Sequence, residues 1–270
     1  IADALGRTVR DSVVGPPGQI AAPYRAPKTI FNGRVHGPRR FATQHYELER
    51  IRRVAAAAGA TVNDVFLAVC SGALRRYLLE LGELPEQSLT ALLPVSVRPS
   101  EDGAIGNAIS FVYSSLATDE PDPLQRLHTI HASTMAGKAR LPELSGGAMD
   151  LYTALLMAPY LGVTIAGLGG LGRPSANLVL SNVPGPAEPL YLDGARLAEM
   201  YPVSLVFDGQ ALNITVVSYA GRFNIGYTGC RDSMPHMQRL AVYSGETLAE
   251  LEDAAGRPAA QSAERPAVRE

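Results

Sequence analysis

Asn63 and Asp64 stand near the start of the most strongly patterned stretch of the chain, ATVNDVFLAVCSGALRRYLLELG, which covers residues 60–82. An amide and a carboxylate in this position can cap a helix, orient a catalytic group or contact a substrate. Thr61 is a good N-cap, and Asp64 follows three residues later, where a capping box places its acid, usually Glu or Gln. A carboxylate there also stabilises the helix dipole. The structural role is favoured for this pair, and the functional role stays open.

A second group of polar residues lies in NLVLSNVPGP, residues 177–186. Ser181 and Asn182 stand at the predicted end of a strand, where polar side chains often face a cleft. Gly185 permits a close approach of the backbone, and the prolines on either side of it fix the turn. The segment predicts either a rigid strand-exit turn or one wall of a channel.

A third group lies in LNITVVSYAG, residues 212–221, where apolar residues alternate with Asn213 and Thr215. This alternation predicts a strand with two different faces. Asn213, Thr215 and Ser218 offer the hydrogen-bond donors that an oxyanion needs. Polar ladders between buried strands use the same residues in the same pattern, so both interpretations remain open.

Other kinds of catalytic site are not indicated by the sequence. It has no G-x-S-x-G motif for a nucleophilic serine, and its glycine-rich stretches lack the Lys-Ser/Thr of a phosphate-binding loop. His128 and His131 share one helix face, but no H-E-x-x-H motif or acidic third ligand accompanies them, so no metal is expected. We expect one of these histidines to pack and the other to face water.

The composition is that of a globular protein with a sizeable core, because 46% of the residues are hydrophobic and 19% are charged. The net charge of -2 and the absence of a Lys/Arg block argue against a nucleic-acid partner. Cys70 and Cys230 form neither a disulfide framework nor a CxxC motif. They are predicted to be free core thiols in a reducing compartment.

The order of the patterned segments predicts an α/β (α+β layered) fold, a mixed sheet flanked by helices. Helices are predicted over 1–13, 47–59, 60–82, 121–140 and 234–255. Strands are predicted over 40–48, 89–98, 107–117, 177–186, 194–203, 211–220 and 222–229, the last two joined as a hairpin. We expect an interdomain helix and Pro/Gly-rich connector over 1–40, the main domain over 41–253 and a disordered tail over 254–270.

Residues 151–172, LYTALLMAPYLGVTIAGLGGLG, carry no charge over 22 positions. The length is enough to span a bilayer, but Pro159 and five glycines interrupt the segment. The favoured interpretation is a pair of short helices, buried or interfacial. A membrane span and an apolar surface that meets lipid are the alternatives.

Five segments together resemble the C-terminal half of the bacterial wax ester synthase/diacylglycerol acyltransferase (WS/DGAT) family. They occur in the family's order and spacing between residues 26 and 251. The segments are TVNDVFLAVCSGALRRYL, LLPVSVR, GNAISFVYSSLATDEPDPLQRLHTIHAS, LVLSNVPGPAEPLYLDGARL and YPVSLVFDGQALNITVVSYAGRFNIGY. Asn63-Asp64 matches the family's ND motif.

This resemblance implies a chloramphenicol-acetyltransferase-like fold, in which two similar halves meet at a channel. It implies transfer of a fatty acyl group from acyl-CoA to diacylglycerol, giving triacylglycerol, or to a long-chain alcohol, giving a wax ester. Asn63 and Asp64 would support the site, and we expect Asp64→Asn to reduce acyl transfer more than stability. Channel or substrate contacts are expected from Ser181, Asn182, Gly185, Asn213, Thr215 and Ser218.

The sequence departs from the family pattern at its catalytic signature, HHxxxDG. No two histidines are adjacent, and none precedes xxxDG; the five are His36, His45, His128, His131 and His236. The chain also starts at Ile1, within the helix predicted over 1–13. We therefore expect the C-terminal half of a split or cleaved enzyme, whose N-terminal half supplies the histidine base.

No permanently bound cofactor is expected, and acyl-CoA is expected as a substrate. The expected partners are the N-terminal half, diacylglycerol or a fatty alcohol, and peripherally a membrane or lipid droplet. The expected location is the cytoplasm, including the inner face of the cell membrane or the surface of lipid droplets. Two alternatives remain: a carrier-protein-dependent, condensation-type acyltransferase, and a non-catalytic lipid-binding or interaction module.

Overall fold

The computed structural model describes residues 21–96, 109–139, 141 and 147–256, together with Gly6 and Arg10. The predicted helix over 1–13 lies outside this part of the chain except at those two residues. The predicted tail lies outside it from residue 257 onward.

The described residues form a mixed sheet and a small two-stranded ribbon. The strands are β1 (Arg39–Glu47), β2 (Thr90–Ser96), β3 (Ile109–Ser115), β4 (Leu178–Val183), β5 (Tyr191–Leu192), β6 (Ala195–Arg196), β7 (Leu212–Tyr219) and β8 (Arg222–Cys230). The main sheet has the order β1-β8-β7-β4-β2-β3, and β5 pairs with β6 in the ribbon. In the main sheet β2, β4 and β7 run parallel, and the other pairs are antiparallel. The predicted mixed sheet is confirmed.

Helices cover the two faces of this sheet unequally. The helices in the described residues are α1 (Leu48–Ala58), α2 (Val62–Leu81), α3 (Pro123–Ala139), α4 (Gly147–Ile165) and α5 (Arg239–Ala255). The core joins α1, α2, α3 and α5 to one face, where Leu212, Ile214 and Val216 of β7 point. We call this the inner face. On the outer face, Leu156 of α4 packs in a smaller cluster with Leu92 and Tyr113.

Local sequence signals account for the ends of α2. The Thr61 hydroxyl accepts a hydrogen bond from the Asp64 N–H at 3.2 Å, and the Asp64 carboxylate accepts one from the Thr61 N–H at 3.0 Å. The capping box is therefore complete with an aspartate. Gly82 ends the helix with a φ of 68°, in the left-handed region that favours glycine.

Other predicted element ends are also confirmed. Asp122 caps α3, since its Oδ1 accepts hydrogen bonds from the N–H groups of Leu124 and Gln125. The hairpin between β7 and β8 turns at Ala220 and Gly221, which have φ values of 47° and 79°. Two successive residues with positive φ give the turn that suits the twist of a two-residue hairpin.

The strand predicted over 194–203 is wrong beyond Arg196. Residues 197–206 form no strand, and both edges of β8, over which they pass, are already paired, with β1 and β7. The segment instead crosses the outer face. Pro202 lies so close to β8 that a Cβ atom added at Gly226 would meet the Pro202 carbonyl oxygen at 2.0 Å.

The expectation of two short helices over 151–172 is also wrong. A single helix, α4, continues through Pro159 to Ile165, and turns follow. Much of its apolar surface is exposed rather than buried, including Leu151, Leu161 and Ile165. No single helix of the described residues has the length and apolarity needed to cross a bilayer. Helices α1 and α2 have that length and apolarity only when taken together, and the pair is bent by 99°.

Candidate functional site

Asp64 lies at the centre of a hydrogen-bond network that joins α2 to α3. Its side chain is 1% exposed. One carboxylate oxygen, Oδ2, accepts hydrogen bonds from the Thr61 hydroxyl at 2.7 Å and lies 2.8 Å from Nδ1 of His131. The other, Oδ1, accepts from the Thr134 hydroxyl at 2.7 Å. Both oxygens are thus used within the fold, so Asp64 positions its neighbours.

The electrostatics of the network keep this carboxylate ionised. Burial by itself raises the pKa of Asp64, but hydrogen bonds from His131, Thr61 and Thr134 outweigh it, and the pKa is lowered from 3.8. Removing one of these donors would leave a buried charge without its hydrogen bond, which is costly, so the network holds the Asp64 side chain in place.

The two histidines of α3 behave as the sequence predicted. His131 is partly buried and hydrogen-bonded to Asp64, while His128 is exposed. Within the described residues, no group of three His, Cys, Asp or Glu side chains is arranged to hold a metal ion. Cys70 and Cys230 are free and buried, and burial strongly raises the pKa of the Cys70 thiol.

Asn63 and Asn182, from two different predicted groups, meet at one edge of the sheet. Nδ2 of Asn182 donates to Oδ1 of Asn63 at 3.4 Å. Asn63 lies in the first turn of α2, and Asn182 is the penultimate residue of β4. Both side chains are partly exposed. The sequence had placed each residue near a site, and the structure adds their contact.

The turn after β4 fixes the position of Asn182. The Gly185 N–H donates to the Ser218 hydroxyl at 3.2 Å, and the Ala220 N–H donates to the Pro186 carbonyl at 3.0 Å. A Cβ atom at Gly185 would lie 2.2 Å from the Ser218 carbonyl oxygen. The close approach predicted for Gly185 is therefore present, and Ser218 is its partner.

Ser181, Asn213 and Thr215 form a separate polar group on the outer face. Ser181 pairs directly with Thr215 across β4 and β7. The Thr215 hydroxyl donates to Oδ1 of Asn213 at 2.8 Å and lies 2.8 Å from the Ser204 hydroxyl. Since side chains alternate along a strand, Ser181 and Asn182 point to opposite faces. The sequence-predicted residues therefore divide into an edge pair and an outer-face group.

Some polar residues that the structure places in or near these networks were not predicted from the sequence. Thr134 follows directly after one of the five family-like segments, and Ser204 lies within another, but neither was singled out as a site residue. Asn224 of β8 is fully buried, and neither polar atom of its side-chain amide has a partner among the described residues. Asn224 points to the same face of β8 as Gly226, which Pro202 covers, and no local sequence pattern signals such packing.

These groups suit binding and positioning better than bond-breaking chemistry. Within the described ranges, no serine or cysteine is hydrogen-bonded to a histidine ring, as an activated nucleophile would be. The edge pair offers amide donors and acceptors. Asn213 and Thr215 of the outer-face group are buried and hydrogen-bonded to each other, like a polar ladder between buried strands. A reacting base would have to come from residues outside these two groups.

The fold is shared with acyl-transferring and condensing enzymes. A wax ester synthase/diacylglycerol acyltransferase from Marinobacter aquaeolei VT8 superposes with a TM-score of 0.76 at 38% identity, covering 95% of this chain and 56% of that one. The first condensation domain of a calcium-dependent antibiotic synthetase superposes with a TM-score of 0.51 at 16% identity, covering 95% and 51%. The second likeness shows the fold alone.

Sequence comparison identifies the family. The WS/DGAT C-terminal domain matches residues 105–252, and the wax ester synthase/diacylglycerol acyltransferase catalytic domain matches residues 1–66. A putative diacylglycerol O-acyltransferase of Mycobacterium tuberculosis is 52% identical over 241 residues, 88% of this chain and 48% of that protein. The chain thus belongs to the wax ester synthase/diacylglycerol acyltransferase family, and it spans about half the length of the curated relatives it matches.

Proposed function

We propose that this chain forms the C-terminal half of an O-acyltransferase that moves a fatty acyl group from acyl-CoA to diacylglycerol or a long-chain alcohol. The observation that carries the proposal is the superposition on the Marinobacter wax ester synthase/diacylglycerol acyltransferase over 95% of the chain. Relatives named as diacylglycerol O-acyltransferases support the same reaction.

The proposed reaction needs a base that this sequence does not offer in the family's pattern. A histidine of the N-terminal half would take the proton from the acceptor hydroxyl, and the oxygen would attack the thioester carbonyl. The ester bond forms as the carbon–sulfur bond breaks, and the CoA thiolate leaves and takes up the proton. The half described here would contribute channel wall and hydrogen-bond donors, which need not ionise.

The outer face supplies a surface for the N-terminal half. Leu192, Val203 and Leu205 are 83%, 71% and 77% exposed. Val203 and Leu205 flank Ser204, whose hydroxyl contacts Thr215 of the polar group. Large apolar side chains gathered around polar ones are typical of a protein interface. Asn213 and Thr215 are already buried, at 9% and 6% exposure, so a partner on this face would meet Ser181 and the apolar side chains first.

A lipid surface is the second proposed partner, at the apolar end of α4 and the turns after it. Leu161, Val163, Ile165, Leu168 and Leu171 are all exposed, and Ile165 is 86% exposed. No charged residue occurs from 151 to 172. Substrates with long acyl chains reach a channel most directly from a membrane or droplet, so peripheral contact there fits the proposed reaction.

The direct test is to purify the chain alone, and together with the family's HHxxxDG-bearing N-terminal half, and to supply palmitoyl-CoA with diacylglycerol or hexadecanol. We expect ester formation from the combined halves and none from this chain alone. Replacing the signature histidines by alanine in the other half serves as the control and abolishes the activity. Full-rate transfer by this chain alone contradicts the division of labour, and inactivity of the combined halves contradicts the reaction.

A further inference from the structure

We infer that Asn63 and Asn182 form an amide clamp that holds a secondary amide of the donor's pantetheine arm. The inference rests on the proposed function, because it concerns the donor of that reaction. It assigns the edge pair to the carrier part of the thioester rather than to the acyl chain or the acceptor.

The hydrogen bond between the two side chains leaves one donor group and one acceptor free. With Nδ2 of Asn182 bound to Oδ1 of Asn63, the Asn63 NH₂ group and the Asn182 carbonyl oxygen make no further hydrogen bond to the described residues. Exchanging nitrogen and oxygen in both amides reverses the bond but again leaves one NH₂ group and one oxygen. The result is therefore independent of the side-chain amide orientation.

Those two free groups complement a secondary amide. Each secondary amide of the pantetheine arm has one N–H donor and one carbonyl acceptor, and the two point in opposite directions. An amide beside the clamp can therefore donate to its free oxygen or accept from its free NH₂ group, and the two amides of the arm can together satisfy both groups. A fatty acyl chain has neither group, and a simple alkyl thioester has only an acceptor. The hydroxyl of the acceptor alcohol also donates and accepts, but on a single oxygen, and it is the same in every reaction when only the donor is changed.

The surrounding structure holds the clamp in place before any ligand arrives. Asn63 precedes Asp64, whose carboxylate is tied to Thr61, His131 and Thr134. The backbone after Asn182 is fixed by the Gly185–Ser218 contact. These contacts fix the backbone beside each asparagine, and the 3.4 Å contact restrains the two side chains. A restrained side chain loses less entropy on binding than a free one.

The clamp also lies where ligands bind in sheets of this kind. It is at the carboxyl end of β4, flanked by the carboxyl ends of the parallel strands β2 and β7. In open α/β sheets, ligands bind outside the carboxyl ends of the strands. Both asparagines are partly exposed at this edge, so an arm passing along it can reach them.

The test uses the enzyme that contains both halves and measures its activity with three palmitoyl donors. They are palmitoyl-CoA, S-palmitoyl pantetheine and the palmitoyl thioester of ethanethiol, which has no amide. We expect Asn63→Asp and Asn182→Ala each to lower kcat/KM about 10-fold for the first two donors. A fall of this size corresponds to the loss of one or two hydrogen bonds. The amide-free donor should stay within about twofold. Gln125→Ala, which removes an exposed amide on α3, is the matched control and should change none of the rates.

The outcomes separate this inference from the proposed function. The ratio of kcat/KM between donors does not depend on how much of a variant is folded, so a poorly folding variant still gives a result. A fall shared equally by all three donors, or no fall for any, overturns the clamp. Wild-type enzyme that uses none of the donors overturns the proposed function instead. A palmitoylated carrier protein carries the same pantetheine arm. Comparing kcat/KM for this donor with kcat/KM for palmitoyl-CoA shows whether the enzyme takes its acyl group from a carrier protein or from CoA.

Discussion

The imidazole Nδ1 of His131 lies 2.8 Å from Oδ2 of Asp64, and this contact ties the first turn of α2 to the middle of α3. Asp64 is buried, whereas His131 is only partly so. The carboxylate therefore fixes which ring nitrogen points inward and leaves Nε2 on the outer side of the contact. Because Asn63 is the residue before Asp64, the same contact sets the position of the edge pair.

The network makes Asp64 a residue of the fold as well as of the candidate site. We expect Asp64→Asn to lower the free energy of unfolding by about 1–3 kcal/mol, because an amide replaces an acceptor-only group surrounded by donors. Denaturant unfolding at pH 7 measures the change. His128→Asn, one turn before His131 and exposed, is the matched control and should stay within about 0.5 kcal/mol. An unchanged unfolding midpoint for Asp64→Asn contradicts the network's contribution.

The lowered pKa of Asp64 predicts how this contribution depends on pH. Since the folded-state pKa lies below the ordinary value of 3.8, the ionised carboxyl stabilises the fold at pH values above about 3.8. That contribution is lost as the pH falls through the lower, folded-state pKa. We expect the stability difference between wild type and Asp64→Asn to shrink as the pH falls below about 4. Unfolding curves between pH 7 and pH 2.5 test this, and a difference that widens toward acid pH has the wrong sign.

The close approach at Gly185 predicts a strong effect of a single methyl group. A Cβ atom there would lie 2.2 Å from the Ser218 carbonyl oxygen, so Gly185→Ala must move the turn after β4. We expect a loss of about 1–3 kcal/mol in unfolding free energy and reduced acyl transfer, because the turn holds Asn182.

Gly162→Ala gives the matched control for that substitution. Gly162 lies inside α4, and a Cβ atom added there would have no neighbouring atom within 4 Å. An alanine in a helix interior is more favourable than glycine by roughly 0.5–1 kcal/mol, so this variant should be slightly more stable. Equal stability losses in the two variants would point to a general intolerance of alanine rather than to the Ser218 contact.

Element ends were predictable because the responsible interactions are local. The cap at Thr61, the stop at Gly82 and the hairpin at Ala220-Gly221 each depend on residues within a few positions of one another. The hydrogen bond between Asn63 and Asn182 joins residues 119 positions apart, and the Asp64–His131 contact joins residues 67 apart. The sequence marked three of these four residues as candidates for a site, but it held no information on which of them touch.

The two wrong predictions both relied on local propensity. Residues 194–203 have a composition that suits a strand, but β8 has no free edge for them to pair with. In residues 151–172 the proline and glycines predicted a break, yet α4 continues through Pro159. Tertiary context overrides local propensity in residues 194–203. Packing on the sheet does not explain the continuation of α4, because Leu161 and Ile165 beyond the proline are exposed.

The exposed apolar end of α4 predicts binding to lipid vesicles by the enzyme that contains both halves. Replacing Ile165, Leu168 and Leu171 together by serine removes three exposed aliphatic side chains. We expect the fraction that floats with phospholipid vesicles to fall at least ~10-fold, since each buried aliphatic side chain contributes on the order of 1 kcal/mol or more. Leu79→Ser is the control, because Leu79 is an exposed leucine on α2, away from this segment. If the triple variant floats like the wild type but its two halves no longer co-purify, the segment contacts the N-terminal half and not lipid.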